Sequence, residues 1–252
     1  MIDLKTPKEI AIIKKGGKIL SDCLYRVADQ VRPGVSTKQL DQIAQEAIKK
    51  AGAEPSFLGH ENFPAAICVS VNEELVHGLP SLDKIIKNGD IVSLDLGVKY
   101  KKLFTDMAIT IAVGKVPQKT SELIAVTRQS LVEAVKVIKP GVHLGDVSAA
   151  IQQYVEAQGM SVVRSLVGHG VGRKVHEEPR IPNFGEAGNG LILQEGMCLA
   201  IEPMVNLGNH LVEVKEDGWT YQSVDKSLTA HFEKTIAVTK TGHQILTPDR
   251  NE

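Results

Sequence analysis

Two carboxylates lie inside two strand-like apolar runs, Asp95 in Ile91-Val92-Ser93-Leu94-Asp95-Leu96 and Asp106 in Leu103-Phe104-Thr105-Asp106-Met107-Ala108-Ile109. Gly97 and polar residues separate the runs, which predicts a β-hairpin. With the turn centred on Tyr100-Lys101, Asp95 pairs directly with Asp106, and paired residues face one side of a sheet. Two ionised carboxylates side by side in apolar surroundings are costly unless a cation compensates them. The hairpin therefore asks for a metal, and three further residues offer themselves as ligands. Glu202 ends the apolar run Leu199-Ala200-Ile201, His169 sits between glycines in Gly168-His169-Gly170-Val171-Gly172, and Glu233 opens Glu233-Lys234-Thr235-Ile236-Ala237-Val238. Four carboxylates and one imidazole form a hard, oxygen-rich set suited to two divalent ions of the manganese, iron, cobalt or zinc kind. Two such ions about 3.5–4 Å apart can share a hydroxide and polarise a carbonyl. A single acid at a strand end is ordinarily solvated; amid Leu, Ile and Val, Asp95 and Glu202 are not.

The elements that position these residues are readable in order. Thr6-Pro7-Lys8-Glu9 is a helix start, with a capping threonine, proline at the first helical position and glutamate three after the cap. The helix runs toward Val31 with Ile12, Ile19, Leu20, Leu24 and Val27 on its inner face, and Arg32-Pro33-Gly34-Val35 stops it. Ser36 or Thr37 starts a second helix through about Lys50, closed by Gly52. A loop-like stretch from Phe57 to Phe63, a strand near Ala65 to Val71 and a turn at His77-Gly78 lead into the hairpin. A helix from about Ser121 then ends at Lys139-Pro140-Gly141-Val142, and another runs to about Gln158 before Gly159. The Pro-Gly-Val pair, Gly52 with Gly159, and Asp95 with Glu202 all recur at an offset of 107 residues. Three coincidences at one offset predict an internal duplication: a single domain, 1–252, with halves of about 1–115 and 116–252 related by approximate twofold symmetry.

Composition bounds the rest. At 252 residues, 42% hydrophobic and 23% charged, the chain can bury a large core. A net charge of -1 argues against a dedicated nucleic-acid binder. The three cysteines, Cys23, Cys68 and Cys198, form no CxxC pair, so neither a disulfide framework nor a zinc ribbon is supported, and a reduced cytoplasmic compartment fits. No stretch of 18 apolar residues suggests a membrane span. There is no GxSxG elbow or Walker phosphate loop, and Gly168 to Gly172 does not complete a dinucleotide fingerprint.

Taken together, these pieces resemble the type I methionine aminopeptidases of the short bacterial kind over essentially the whole chain. The matching segments are the ThrProLysGluIle start, His77-Gly78-Leu79-Pro80, Asp95-Leu96-Gly97, Asp106, Gly168 to Pro179 (GHGVGRKVHEEP), Ile201-Glu202-Pro203, and Trp219-Thr220 leading to Phe232-Glu233. The resemblance implies an α+β pita-bread fold, a curved antiparallel sheet flanked by helices with pseudo-twofold symmetry. It also implies two divalent ions (Co, Mn, Fe, Zn or Ni) on Asp95, Asp106, His169, Glu202 and Glu233, with Asp106 and Glu233 bridging. In that family His77 corresponds to the histidine contacting the scissile amide nitrogen and His176 to the one stabilising the oxyanion. Glu202 corresponds to the residue that also takes a proton from the bridging water. The methionine pocket maps onto Phe57, His60, Phe63, Cys68, Val175 and Trp219. Here the match loosens: His60 replaces a usual tyrosine, Val175 a frequent phenylalanine and Phe57 a frequent cysteine. Met107-Ala108 stand where a small hydroxyl residue often follows Asp106, and Lys234 replaces a common histidine.

The implied activity is removal of N-terminal methionine from nascent chains whose second residue is small, by a metal-bridged hydroxide attacking the scissile carbonyl. Nascent polypeptide N-termini are the expected partners, with ribosome association a further candidate. A cytoplasmic monomer is expected, because the chain begins directly at the first helix without the long N-terminal extension of some relatives. Two rivals share the fold. An aminopeptidase P or prolidase acting on Xaa-Pro usually carries a large extra N-terminal domain; an inactive binding protein would not need all five ligands and both histidines.

Overall fold

The computed structural model describes residues 2–250. Thr6 caps helix α1 (Pro7–Ala28): its hydroxyl accepts from the Glu9 N–H at 3.3 Å, and the Glu9 carboxylate accepts from the Thr6 N–H at 2.8 Å. The helix ends three residues short of Val31. Its buried stripe passes through Ile13, Gly17, Leu20, Leu24 and Val27, with Ile12 and Ile19 only half-buried at the margin. Gly17 is needed there, because a Cβ would lie 2.0 Å from the Leu246 carbonyl oxygen of the C-terminal segment. Helix α2 (Thr37–Lys50) has a capping box of Ser36 and Gln39. Helices α3 (Gln118–Val137) and α4 (Leu144–Ala157) complete the set, and Asp146 accepts from the His143 N–H at 2.9 Å where α4 begins.

Among the described residues the main sheet has nine strands. They are β1 (Glu54–Pro55), β2 (Ile67–Val71), β3 (Ile91–Tyr100), β4 (Leu103–Ala112), β5 (Val167–Gly170), β6 (Glu177–Pro182), β7 (Cys198–Ile201), β8 (Glu233–Val238) and β9 (His243–Ile245). The order is β1-β3-β4-β8-β7-β5-β6, with β2 also on β3 and β9 also on β8, and every pairing is antiparallel. Alternation along the strands sends Leu94, Leu96, Met107, Leu199 and Ile201 into the core shared with all four helices, and Asp95 and Asp106 to the opposite face. Two three-stranded sheets flank the main one. Ser161–Val162, Met204–Asn206 and Thr229–His231 form the first; Glu74–Val76, Val212–Val214 and Tyr221–Ser223 form the second.

The hairpin corrects the expected register. Tyr100 pairs with Leu103, so the turn is Lys101-Lys102, and Asp95 lies opposite Ala108 while Asp106 lies opposite Gly97. Both turn residues are left-handed, with φ of 48° and 71°, the backbone that a two-residue hairpin turn requires. The shift is two residues, so the carboxylates stay on one face and meet diagonally.

Contacts in the two halves repeat at the offset of 107. The bridge Ser36↔Ile85 recurs as His143↔Ile192. The Gly34 N–H donates to Ile86 O at 2.9 Å and Ile86 N–H to Val35 O at 2.9 Å; Gly141 N–H donates to Leu193 O at 2.9 Å and Leu193 N–H to Val142 O at 2.8 Å. Positive-φ glycines at 34, 52 and 89 recur at 141, 159 and 196.

Candidate metal centre and cleft

The strand register alone assembles the acidic cluster. Asp95 pairs with Ala108, and Ala108 pairs with Glu233 on its other side, so two carboxylates flank one small residue. Asp106 stands two residues from Ala108 on the same face. Glu202 follows β7 directly, and continuing the Lys234↔Ile201 register sets it against Glu233. His169 pairs with Ala200, two residues before Glu202. All five predicted ligands therefore converge on one face and line one cavity. His169 Nε2 is 3.6 Å from Glu202 Oε1 and 4.0 Å from Glu233 Oε1, while its Nδ1 lies 2.9 Å from the Gly170 carbonyl oxygen. That carbonyl can only accept, so Nδ1 carries the proton and Nε2 is left as an acceptor toward the acids. Gly168 and Gly170 let the backbone in on both sides: a Cβ on Gly168 would sit 2.5 Å from Ala200 O, and one on Gly170 2.2 Å from Glu178 O.

Four acids crowded into one cavity need protons or cations to neutralise them. Asp95, Asp106, Glu202 and Glu233 are sequestered together, and burial pushes Asp95 up to about 7 and Glu202 up to about 8. Burial and then the neighbouring carboxylates raise Asp106 and Glu233 well above the usual range. Burial lowers His169 to about 3 and His77 to about 4, leaving both imidazoles neutral. Buried oxygens Asp95 Oδ1 and Glu233 Oε1 have no hydrogen-bond partner, an expensive state for carboxylate oxygens. Donor atoms of Asp106, His169 and Glu233 all lie within 4.8 Å of one another. Orphaned oxygens, acids holding protons against their nature and a neutral imidazole with a free nitrogen fit divalent metal, which takes the protons' place.

The two catalytic candidates among the histidines border the same cavity. His77 has a left-handed backbone (φ 57°). Its turn is held by Gly78 N–H to Ser70 Oγ at 3.1 Å, Val69 N–H to Gly78 O at 2.8 Å and Leu79 N–H to Thr220 Oγ1 at 3.2 Å, and its ring packs edge-on against Tyr221 at 5.7 Å. His176 packs edge-on against His169 with ring centroids 4.5 Å apart. Partial desolvation, and then the adjacent His60, lower its pKa although the residue is exposed at the cleft. A cleft of about 580 Å³ continues past His77, His169 and His176, lined further out by Met204, Lys174 and Arg180.

On the other side of the acids lies an apolar recess. Phe57, Phe63, Ala65, Cys68 and Val175 form one buried cluster, with Trp219 and Phe104 packed against it, and Phe63 meets Trp219 edge-on at 5.2 Å. Large Phe57 and small Val175 are thus parts of one wall. Gly97 makes room for it, since a Cβ there would be 2.8 Å from the Phe57 ring. His60 lines the same cavity as Phe57, Phe63, Cys68 and Trp219, and its Nε2 lies 3.4 Å from His176 Nδ1.

Three features went unread in the sequence. His231 is buried with its Nε2 3.3 Å from Glu202 Oε2. The sequence offered only a weak signal, because His231 precedes Glu233 by two in one strand-like run, whereas the structure breaks that run at Phe232. Lys5 and Glu177 form a buried ion pair 172 residues apart in sequence. Lys234, in place of the common histidine, donates to Thr247 O at 2.8 Å and Asp249 Oδ1 at 2.6 Å, tying the C-terminal segment to the back of the sheet. Met107 turns into the core, and Ala108 leaves the space between Asp95 and Glu233 open.

Comparison with known proteins agrees with this chemistry. The model of metallopeptidase family M24 matches residues 11–240. A methionine aminopeptidase of Clostridium perfringens is 48% identical over 247 residues, covering 98% of this chain and 99% of that protein. Methionine aminopeptidase 1 of Bacillus subtilis is likewise 48% identical over 247 residues, with the same coverage. The crystal structure of methionine aminopeptidase from Thermotoga maritima superposes with a TM-score of 0.97 at 49% identity, covering 99% of this chain and 100% of that one. With its sheet flanked by four helices in the pita-bread arrangement, the chain belongs to metallopeptidase family M24 and, within it, to the methionine aminopeptidases.

Proposed function

We propose that the chain removes N-terminal methionine from polypeptides whose second residue is small. The observation that carries this reading is the contiguity of a four-acid, one-histidine cluster with an apolar recess on one side and two histidines and an open cleft on the other. The recess of Phe57, Phe63, Cys68, Val175 and Trp219 suits a flexible thioether side chain. A methionine seated there sets its own carbonyl against the acids and sends the following residue past His77 and His176.

Asp95, Asp106, His169, Glu202 and Glu233 would hold two divalent ions. When bound, divalent ions supply a water acidified toward neutrality and Lewis-acid polarisation of the scissile carbonyl. The chain's own groups do the rest. Glu202, half-buried within the cluster, accepts the proton of the attacking water. His77 approaches the scissile amide nitrogen, and a neutral His176 donates to the carbonyl oxygen as charge grows there. A bulky second residue is disfavoured because its side chain must pass between these histidines and Met204. The donor set accommodates Mn, Fe, Co, Zn or Ni.

We further read residues 1–252 as one catalytic domain built from two related halves; the contacts repeated at an offset of 107 residues support this. No helix among the described residues is long and apolar enough to cross a membrane. We further propose a cytoplasmic monomer acting on nascent chains. Rates of methionine release from Met-Xaa-Met peptides test the reading: with added Mn(II), Co(II) or Fe(II), Gly and Ala at Xaa should be cleaved far faster than Leu or Phe. Indifference to the size of Xaa would contradict it.

A further inference from the structure

His60 lines the cavity with Phe57, Phe63, Cys68 and Trp219, and it also meets a catalytic candidate. Its Nε2 is 3.4 Å from Nδ1 of His176, with the rings tilted by 52° and centroids 5.3 Å apart. The turn carrying it is built rather than loose. Gly59 N–H donates to Phe63 O at 2.8 Å, His60 N–H to Phe57 O at 2.9 Å and Phe63 N–H to His60 O at 2.8 Å. Gly59, Glu61 and Asn62 all take positive φ (83°, 48° and 72°) to make that turn. Phe57 and Phe63, the two anchors of the turn, are buried in the recess wall, so the ring of His60 is delivered to His176 from a fixed base. His176 is fixed from its own side, because Glu177 next to it pairs with buried Lys5 and accepts from the backbone N–H groups of Arg173 (2.5 Å) and Lys174 (2.9 Å).

A neutral imidazole has one N–H, and the partner of one nitrogen decides which nitrogen carries it. To donate to a developing oxyanion from Nε2, His176 must keep Nδ1 unprotonated. A donor facing Nδ1 enforces that state. His60 supplies such a donor when its own Nε2 is protonated.

Resting on the aminopeptidase reading above, we propose that His60 is a positioning residue that holds His176 in its Nε2–H tautomer by donating from Nε2 to His176 Nδ1. No bond is made or broken; the contact selects which of two neutral forms is present. His60 is therefore a determinant of turnover more than of methionine binding.

Two measurements test this. In imidazole 15N spectra of the Zn(II)-loaded protein, His176 should be the Nε2–H tautomer, and His60→Phe should convert it to a mixture. A predominantly Nδ1–H His176 in the unsubstituted protein overturns the proposal whatever the activity, so its failure is separable from failure of the aminopeptidase reading. In Met-Ala-Ser hydrolysis, His60→Phe should lower kcat about 10- to 100-fold, the usual cost of losing a partner that orients a functional histidine, with KM changed less than about threefold. His60→Gln, which keeps an N–H donor near the same place, should restore most of the rate. In a His176→Ala background His60→Phe should cost nothing further. A raised KM with kcat spared, or additive losses in the double variant, would assign His60 to the methionine pocket and overturn the proposal.

Discussion

Glu202 illustrates how position rather than type makes a residue chemical. A glutamate one step beyond β7 would be an ordinary surface acid; here it meets His169 at 3.6 Å and His231 at 3.3 Å, and burial pushes its pKa up to about 8. In the proposed mechanism Glu202→Gln removes a ligand charge and the proton acceptor together. It is expected to reduce kcat by at least about 10²–10⁴, the range for loss of general acid–base catalysis, with the fold intact by circular dichroism. His176→Ala should keep its metal, measured by elemental analysis of the isolated variant, yet lose about 10²–10³ in kcat, as for removal of one oxyanion donor. A His176→Ala enzyme with unsubstituted turnover would remove the oxyanion role. The four acids of the proposed ligand set stood out in the sequence because carboxylates amid Leu, Ile and Val are rare enough to demand a reason, and His169 because glycines flank it. His231 left only a weak signal, two residues before Glu233, and its histidine suits a core or surface position equally well.

At the scale of elements, the site depends on segments far apart in the chain being held together. The N-terminal segment is fastened to the loop bearing Val175 and His176 by the buried Lys5–Glu177 pair and by Arg173, which meets Asp3 and Glu9. Lys5→Met leaves Glu177 buried without its cation. It should lower the free energy of unfolding by about 3–5 kcal/mol in urea titrations, and the double variant Lys5→Met with Glu177→Leu should recover much of that. An unchanged urea midpoint for Lys5→Met would show that the pair does not fasten the loop. Such a contact, 172 residues long in sequence, leaves no local pattern to read. The hairpin register escaped for a local reason: Lys101-Lys102 adopt left-handed backbone without the Asn-Gly or Asp-Gly signature that ordinarily marks such a turn. Helix starts were accurate where caps specify them, as at Thr6 and Ser36. The inner face of α1 was displaced because two glycines, Gly16 and Gly17, carry the closest approach and contribute nothing to a hydrophobic pattern.

For the whole molecule, the acid cluster couples stability to metal and pH. Asp95 and Glu202, raised to about 7 and about 8, keep protons in the fold that the unfolded chain has already released. The stability they contribute is full below their unfolded values and is lost as pH rises through 7 and 8. His169 and His77, lowered to about 3 and about 4, act in the opposite sense, but only below the unfolded imidazole value of about 6.5. Between pH 6.5 and 8 the carboxylates therefore dominate, and the metal-free protein should show a Tm that falls with rising pH. Metal at 100 times its Kd should add about 2.7 kcal/mol and remove most of that slope, because cations then replace the protons. A metal-free Tm that rises or stays level across the window would contradict the electrostatic account. Asp95 and Glu202, 107 residues apart like the repeated contacts, lie in the same cluster.

Cluster, recess and the two histidines together are proposed to release methionine from peptide N-termini. The most direct measurement is liberation of free amino acid from Met-Gly-Met and from an Xaa-Pro dipeptide by the purified protein, with Mn(II), Co(II), Fe(II), Zn(II) and Ni(II) added in turn and bound metal determined in the same samples. The account predicts methionine from the first substrate, in step with metal occupancy, and no cleavage of the second. Metal-loaded protein that cleaves neither substrate, or cleaves only the Xaa-Pro bond, would contradict it.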